Sequence, residues 1–198
     1  EKVTAEQEAD ITAAIHKAAA VVIGPGLGQE AGAERLLDLV LQEAKKLPEL
    51  PVVIDADGLN LLAKKGLYST LGRQYVLTPH LREMSRLSGK SVQEIADDMT
   101  SAVMGQQAGA TIVLKDARTL VSDGDWLYIN LSGNSALSTG GSGDVLSGMI
   151  GGLLAQGCTQ RTAATLAVYM HGLTAGQYCE SAPPHCMLAR DILEMIPK

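Results

Sequence analysis

Short apolar runs alternate along the chain with longer segments whose apolar residues recur every three or four positions. Short runs rich in Val, Ile and Leu are typical of strands buried on both faces, and the longer period is typical of amphipathic helices. This order predicts an α/β protein with a mostly parallel central sheet, to which about five strands would belong. The strand runs lie at 21–23, 51–54, 75–78 and 111–114, and the helical segments at 4–20, 31–46, 59–63, 81–89, 91–108, from 145 onward, 159–178 and 185–197.

Local signals support several of these boundaries. Thr4 with Gln7, and Ser91 with Glu94, have the spacing of a capping box, in which two side chains satisfy free N–H groups at the start of a helix. The apolar residues on either side of the polar turn 122–125 predict a hairpin.

Composition narrows the class of protein. The 198 residues are 46% hydrophobic and 19% charged, which predicts one compact domain over 1–198. A net charge of −6, no basic patch and 3% aromatic residues argue against a nucleic-acid partner. No apolar run reaches the roughly 18 residues of a membrane span, so no membrane partner is predicted. Three cysteines without a CxxC pair predict reduced thiols and a cytoplasmic location.

A glycine-rich turn leads into one of the predicted helices. Gly141 and Gly143 precede Asp144, and an apolar helical pattern follows. Backbone N–H groups at such a turn point outward at the positive end of the helix dipole, so the turn predicts an anion site. Glycines on one face of the helix would let a neighbour pack closely, at positions 148, 151 and 152.

Asp144 has two interpretations. A carboxylate beside an anion site is costly unless it handles a proton or a bound ligand, which would make Asp144 a catalytic base. Alternatively, Asp144 is only the N-cap of the following helix.

Polar residues also follow the predicted parallel strands at their carboxyl ends, where open α/β sheets bind ligands. Either Asp55 or Asp57 would cap the next helix, which leaves the other carboxylate for a ligand. His80 follows the third strand and is held by Pro79, a place better suited to a ligand than to the core. A structural or solvated histidine is the alternative. His171 lies far from any such loop and is interpreted as a packing or helix–helix hydrogen-bonding residue.

Several of these segments resemble motifs of one family, in that family's order. Asn134, Ser135 and TGGSGDVLSG at 139–148 resemble the signature that closes the active site of ribokinase-like enzymes. Within that superfamily, the chain most resembles ADP-dependent NAD(P)H-hydrate dehydratases from about residue 20 to 197. The other matching motifs are GPGLG at 24–28, IDADGLNLLA at 54–63 and LTPHLREMSRLSG at 77–89.

The resemblance implies a ribokinase-like three-layer α/β/α sandwich that uses ADP or ATP with Mg²⁺ to restore NADH and NADPH from their hydrates. It implies that Asp144 is the catalytic base and that the glycine turn holds the transferred phosphate. Substrate contacts are implied for Gly26, Gly28, Asp57, Asn60, His80 and Asp144. Nucleotide contacts are implied for Lys115, Asp116, Ala117, Arg118, Thr119, Gly141 and Gly143. The metal ligands are not identified.

The chain departs from the family pattern at two loops. Leu81-Arg82 replaces the usual Pro-Gly, so that Arg82 becomes a candidate for a phosphate or ribose contact. Asp116 and Arg118 stand where glycines are common. Arg118 would strengthen phosphate binding and Asp116 would oppose it unless turned outward, and two solvated turn charges are the alternative.

The resemblance further implies a homo-oligomer, which is a tetramer in the family. Family members also carry an N-terminal segment to which nothing in this sequence corresponds. The domain over 1–198 is therefore expected to be truncated at its N-terminus: either the chain is a fragment, or the complementing segment lies in another chain or is cleaved away. Two other functions remain open. One is a small-molecule kinase of the same superfamily acting on a vitamin precursor or sugar alcohol. The other is a nucleotide-binding module without turnover.

Overall fold

The computed structural model describes residues 3–105 and 109–196 and is built on a six-stranded sheet in the order β1-β2-β3-β4-β5-β6. Strands β1 to β4 pair in parallel. Strand β5 pairs antiparallel to β4, and β6 pairs antiparallel to β5. The strands are β1 (Val21–Ile23), β2 (Val52–Ile54), β3 (Tyr75–Leu77), β4 (Thr111–Leu114), β5 (Leu120–Ser122) and β6 (Leu127–Ile129). The helices are α1 (Ala5–Ile15), α2 (Ala31–Lys46), α3 (Ala56–Lys65), α4 (Leu81–Ser88), α5 (Val92–Asp97), α6 (Met99–Met104), α7 (Ser142–Ala155), α8 (Gln160–Cys179) and α9 (Ala189–Met195).

The two faces of the sheet pack against different helices, because successive side chains of a strand point to opposite faces. Ile54 and Leu77 join a core that includes residues of α1 to α6. Val53, Val76 and Val113 join a second core with α7 and α8. Each fully buried aliphatic side chain contributes roughly 1.5–3 kcal/mol. The result is the predicted three-layer α/β/α sandwich with a mostly parallel sheet.

Several predicted boundaries were wrong. The helix predicted over 91–108 is two helices, α5 and α6, which meet at Asp98. Asp98 has a non-helical backbone, and its side chain accepts a hydrogen bond from Ser101 N–H, so it starts a new helix. Residues 106–108 lie outside the described part of the chain. The first helix ends at Ile15, and the described ranges contain four parallel strands where about five were predicted.

The glycines of α7 differ in what they permit. A Cβ on Gly151 would overlap the side chain of Val22, so this glycine lets α7 lie close to β1. Gly148 and Gly152 have open space where a Cβ would stand, so close packing explains only one of the three. Within 3–105 and 109–196, no helix is long and apolar enough to cross a bilayer.

Candidate active site

Three polar residues follow parallel strands at one edge of the sheet: Asp55 after β2, Thr78 after β3 and Lys115 after β4. Val53, Val76 and Val113, two residues earlier in each case, all face α7 and α8. By strand alternation, Asp55, Thr78 and Lys115 therefore face the same helices, at the edge where ligands bind in open α/β sheets.

Two glycines fix the backbone around Asp55. A Cβ on Gly24 (φ +125°) would overlap the carbonyl oxygen of Asp55, and one on Gly58 would lie 2.8 Å from Ile54 and 3.2 Å from the Ile23 carbonyl oxygen. Only glycines let the end of β1 approach the start of α3 this closely. The first residue of α3, Ala56, has φ 47° and donates its N–H to the Asp55 carboxylate at 2.8 Å. Asp55 is therefore the helix cap, and the helix starts three residues before the predicted Leu59.

The Asp55 carboxylate connects two other elements of the site. Lys115 Nζ donates a hydrogen bond to Asp55 Oδ1 at 2.7 Å, and the Ser147 hydroxyl of α7 donates to Oδ2. Asp55 is only 1% exposed and Ser147 is fully buried. A Cβ on Gly143 would lie 3.3 Å from Lys115 Nζ, so the ammonium group lies against the first turn of α7. The ammonium and the amino end of α7 thus face the same space, as an anion site requires.

Asp144 is the third residue of α7 and does not cap it. The N-cap is Gly141, whose φ of 85° few other residues adopt readily, so the N-cap interpretation of Asp144 is wrong. The Asp144 side chain is exposed, and the described residues give it no hydrogen bond or ion pair. A carboxylate with free lone pairs, one residue after Gly143, is available to accept a proton.

His171 lies beneath the glycine turn. Its Nε2 is 3.0 Å from the Ser142 carbonyl oxygen and 3.1 Å from the Ser142 hydroxyl. Since a carbonyl only accepts, Nε2 carries the hydrogen in this contact. Burial lowers the pKa of His171 to about 4, so the imidazole is neutral near pH 7. The predicted helix–helix hydrogen bond is confirmed, but the expectation that His171 lies far from the loops was wrong.

A cavity of about 410 Å³ opens beside this turn. Of the seven predicted nucleotide contacts, Asp116, Ala117 and Thr119 line it, while Lys115 and Gly143 lie together at the glycine turn. The Ser142–His171 contact connects the two groups, because His171 also lines the cavity. Arg118 and Gly141 are exposed and are not part of the wall. The rest of the wall comes from Asn130, Ser132, Gly133, Asn134, Ser135, Leu137, Ser138, Leu146 and Val168.

The predicted substrate residues form a second cluster at the end of β1. Asp57 Oδ2 accepts the Gly28 N–H at 3.0 Å, and its Oδ1 accepts the Gln29 side-chain amide at 2.9 Å. Asn60 Nδ2 is 3.5 Å from Asp57 Oδ1, and Asn60 Oδ1 accepts from Arg86 at 2.8 Å. These contacts hold the GPGLG loop on α3. Gly26, at the exposed tip of that loop, has φ +64°.

His80 stands beside Lys115 at the same edge. It caps α4: its Nδ1 accepts the Glu83 N–H at 3.1 Å, and its own N–H donates to Glu83 Oε2 at 2.9 Å. The Lys115 N–H donates to the Pro79 carbonyl at 2.8 Å, which brings the two loops together. About half of the imidazole is exposed, and its Nε2 lies 3.5 Å from Glu83 Oε1 while Nδ1 holds the helix. The exposed part of the ring is what a ligand at this edge would meet.

All 198 residues match a family model described as NAD(P)H-hydrate dehydratase. The chain belongs to the NAD(P)H-hydrate dehydratase family. It is 44% identical over 167 residues to the ADP-dependent (S)-NAD(P)H-hydrate dehydratase of Neisseria meningitidis serogroup B, an alignment that covers 81% of this chain and 55% of that relative.

Two solved structures resemble the fold of this family member. One is the ADP/ATP-dependent NAD(P)H-hydrate dehydratase from Bacillus subtilis co-crystallized with ATP/Mg²⁺, at 31% identity and TM-score 0.76 over 90% of this chain and 62% of that one. The other is a ribokinase-like superfamily protein from Enterococcus faecalis, at 29% identity and TM-score 0.82 over 96% and 66%. The ribokinase-like fold is thereby confirmed, and the chain spans about half the length of the curated relative named above.

The side chains near the glycine turn suit a metal ion that is held mainly by phosphate oxygens. Within the described ranges, no three His, Cys, Asp or Glu side chains cluster as a metal site built from protein alone would need. Mg²⁺ in nucleotide enzymes usually takes one or two carboxylates, with phosphate oxygens and water as its other ligands. Asp144, exposed beside the glycine turn, meets that smaller requirement.

Two contributors to the site were missed from the sequence. Ser147 follows Gly143 by four residues, a spacing that places both on one face of α7, and that signal was available. Thr78 is fully buried, and its hydroxyl has no hydrogen-bond partner among the described residues. A buried hydroxyl without a partner costs about 1–3 kcal/mol, which makes this edge a place where a bound polar group would be stabilised.

Proposed function

We propose that this chain carries the site for ADP- or ATP-dependent dehydration of hydrated NADH and NADPH. The observation that carries the proposal is the first turn of α7. There an exposed, unpaired Asp144 lies one residue from Gly143, and Gly143 lies against the Lys115 ammonium. A proton acceptor and an anion site in one helical turn are what phosphorylation of a hydroxyl group needs.

The chemistry follows from the poor leaving ability of hydroxide. The Asp144 carboxylate accepts the proton of the hydrate's hydroxyl as its oxygen attacks the terminal phosphorus of ADP, and AMP leaves. Phosphate then departs with the hydrate's oxygen, a proton is lost from the neighbouring carbon, and the ring double bond of NADH is restored. The balance is hydrate plus ADP to NADH, AMP, inorganic phosphate and a proton, and with ATP the nucleotide product is ADP.

The phosphate would lie between the N–H groups of α7 and Lys115. Both supply positive potential before the reaction starts, so they stabilise the charge that develops on the transferred group. Mg²⁺ would be held by phosphate oxygens with Asp144 at most, and it would screen the phosphate charges.

The two remaining clusters are assigned to the two substrates. The 410 Å³ cavity is the proposed place of the ribose and adenine, with Asp116, Ala117 and Thr119 in its wall. The GPGLG loop, with Gly26 and Gly28, and the half-exposed imidazole of His80 would face the hydrate. Asp57 and Asn60 would act there by holding the loop.

A small-molecule kinase would need the same base and the same phosphate turn, so product analysis is the test. The chain is incubated with ATP or ADP and either NADH hydrate or a panel of vitamin precursors and sugar alcohols. We expect NADH absorbance to return with the hydrate and no phosphorylated product to accumulate from the panel. Accumulation of a phosphorylated alcohol, with no NADH formed, would establish the kinase. ADP binding without either product would establish a binding module.

A further inference from the structure

Asp55 has no assigned task in the proposed function, yet it is the most constrained side chain at this edge. It is 1% exposed, and its contacts lead to α3 through Ala56 N–H, to β4 through Lys115 and to α7 through Ser147. Gly24 and the left-handed backbone of Ala56 make room for this arrangement. Strained backbone next to a buried carboxylate is typical of a position held for function.

We propose that Asp55 is a positioning residue that holds the Lys115 ammonium at the phosphate turn of α7. The inference rests on the proposed function and adds to its site the residue that sets the place of the cation. Lysine has a flexible four-carbon stem, so its charge is well placed only when a partner fixes it. Asp55 Oδ1 supplies that partner at 2.7 Å, and the Ser147 hydroxyl fixes the other oxygen.

The pair is also mutually dependent. With Lys115 in place, the charge of Asp55 is neutralised, and an incoming phosphate meets the helix N-terminus and the remaining N–H groups of the ammonium. Without Lys115, the same carboxylate would be buried, unpaired and close to the phosphate, which it would repel. A purely structural Asp55, needed only to cap α3, has no such dependence on Lys115.

The experiment compares four variants of this chain: Asp55→Asn, Lys115→Gln, the double variant and Asp38→Asn. Asp38 pairs with Lys65 at 3.0 Å between α2 and α3, so Asp38→Asn is a matched control that removes an Asp–Lys pair outside the site. Calorimetry gives the Kd for ADP, initial rates of NADH recovery give kcat, and thermal unfolding gives Tm.

We expect Lys115→Gln to weaken ADP binding by roughly tenfold or more, because the cation is lost and Asp55 is exposed to the phosphate. The double variant should bind ADP several-fold better than Lys115→Gln, since the repelling charge is gone. Asp55→Asn alone should leave the Kd for ADP within a few-fold and lower kcat by about 10²-fold, because the ammonium is no longer fixed. Asp38→Asn should have the same Kd for ADP and the same kcat as the parent chain.

Asn caps a helix well. If Asp55 only caps α3, Asp55→Asn should therefore have the kcat of the parent chain, and the double variant should bind ADP no better than Lys115→Gln. Either result overturns the proposal. If Lys115→Gln does not fold, Ser147→Ala takes its place, because it frees the carboxylate while keeping both charges. A lowered kcat with unchanged ADP affinity supports the proposal there, and a parental kcat refutes it.

The comparison also separates this inference from the proposed function. If the parent chain binds ADP but forms no NADH, the dehydratase proposal fails. The order of ADP affinities among Lys115→Gln, the double variant and Asp55→Asn still decides the role of Asp55, because it needs no turnover.

Discussion

Asp55 bonds to Ser147 of α7 and Asp144 lies in the first turn of the same helix, yet the two carboxylates stand in opposite environments. Asp55 is buried, and its two carboxylate oxygens accept hydrogen bonds from Lys115, Ala56 and Ser147. Asp144 is exposed, and within the described ranges no side chain or backbone group bonds to it. The oxygens of Asp55 are occupied by three donors, whereas those of Asp144 are open to a substrate hydroxyl. The site thus divides the work between a carboxylate that positions and a carboxylate that reacts.

The largest expected effect is at the reacting carboxylate. Asp144→Asn keeps the size of the side chain but removes the proton acceptor, so turnover should fall by about 10²–10⁴-fold. Affinity for ADP, measured by calorimetry, should change little. Turnover within a few-fold of the parent would remove Asp144 from the mechanism and with it the contrast to Asp55.

The free energy of unfolding is expected to fall with pH because of His171. Its folded pKa of about 4 lies below the unfolded value of 6.5, so protonation favours the unfolded chain. The stabilising contribution is complete above pH 6.5 and is lost between about 6.5 and 4, by roughly 3 kcal/mol. Denaturant titrations over this pH range should show that the free energy of unfolding falls in the parent chain. The same free energy should depend less on pH in His171→Gln. Equal slopes would mean that burial does not lower the pKa of His171 in the folded chain.

A smaller effect is expected at Asp57, whose environment is intermediate. Asp57→Asn leaves one acceptor where Gly28 and Gln29 now use two, so the GPGLG loop should loosen. The KM for the hydrate should rise several-fold while the Kd for ADP stays constant. A change in ADP affinity of similar size would contradict the assignment of this loop to the hydrate.

The smallest effect is expected at Arg118, an exposed turn charge outside the cavity wall. Arg118→Ala should change ADP affinity by less than about threefold, because charges in solvent are strongly screened. A tenfold loss, measured at the same ionic strength, would show that Arg118 reaches the phosphates and would restore the stronger sequence expectation.

Features set by neighbouring residues could be predicted from the sequence, whereas contacts between residues far apart in the sequence could not. The capping boxes at Thr4 and Ser91, the bounds of α2 and the glycine turn before Asp144 follow from nearby residues, and all are present. The contacts of Asp55 join residues 60 and 92 positions apart, so sheet register and helix packing decide them. The break at Asp98 was missed because its side chain competes with the helix for a backbone N–H.

The most direct measurement of the central claim is the stoichiometry of one reaction. Purified NADH hydrate and ADP are incubated with the chain, and NADH, AMP and inorganic phosphate are quantified from the same samples over time. The proposed chemistry predicts that the three products appear together in equal amounts, and that Asp144→Asn slows all three alike. AMP and a stable phosphorylated product without NADH, or NADH formed without ADP consumption, would contradict it.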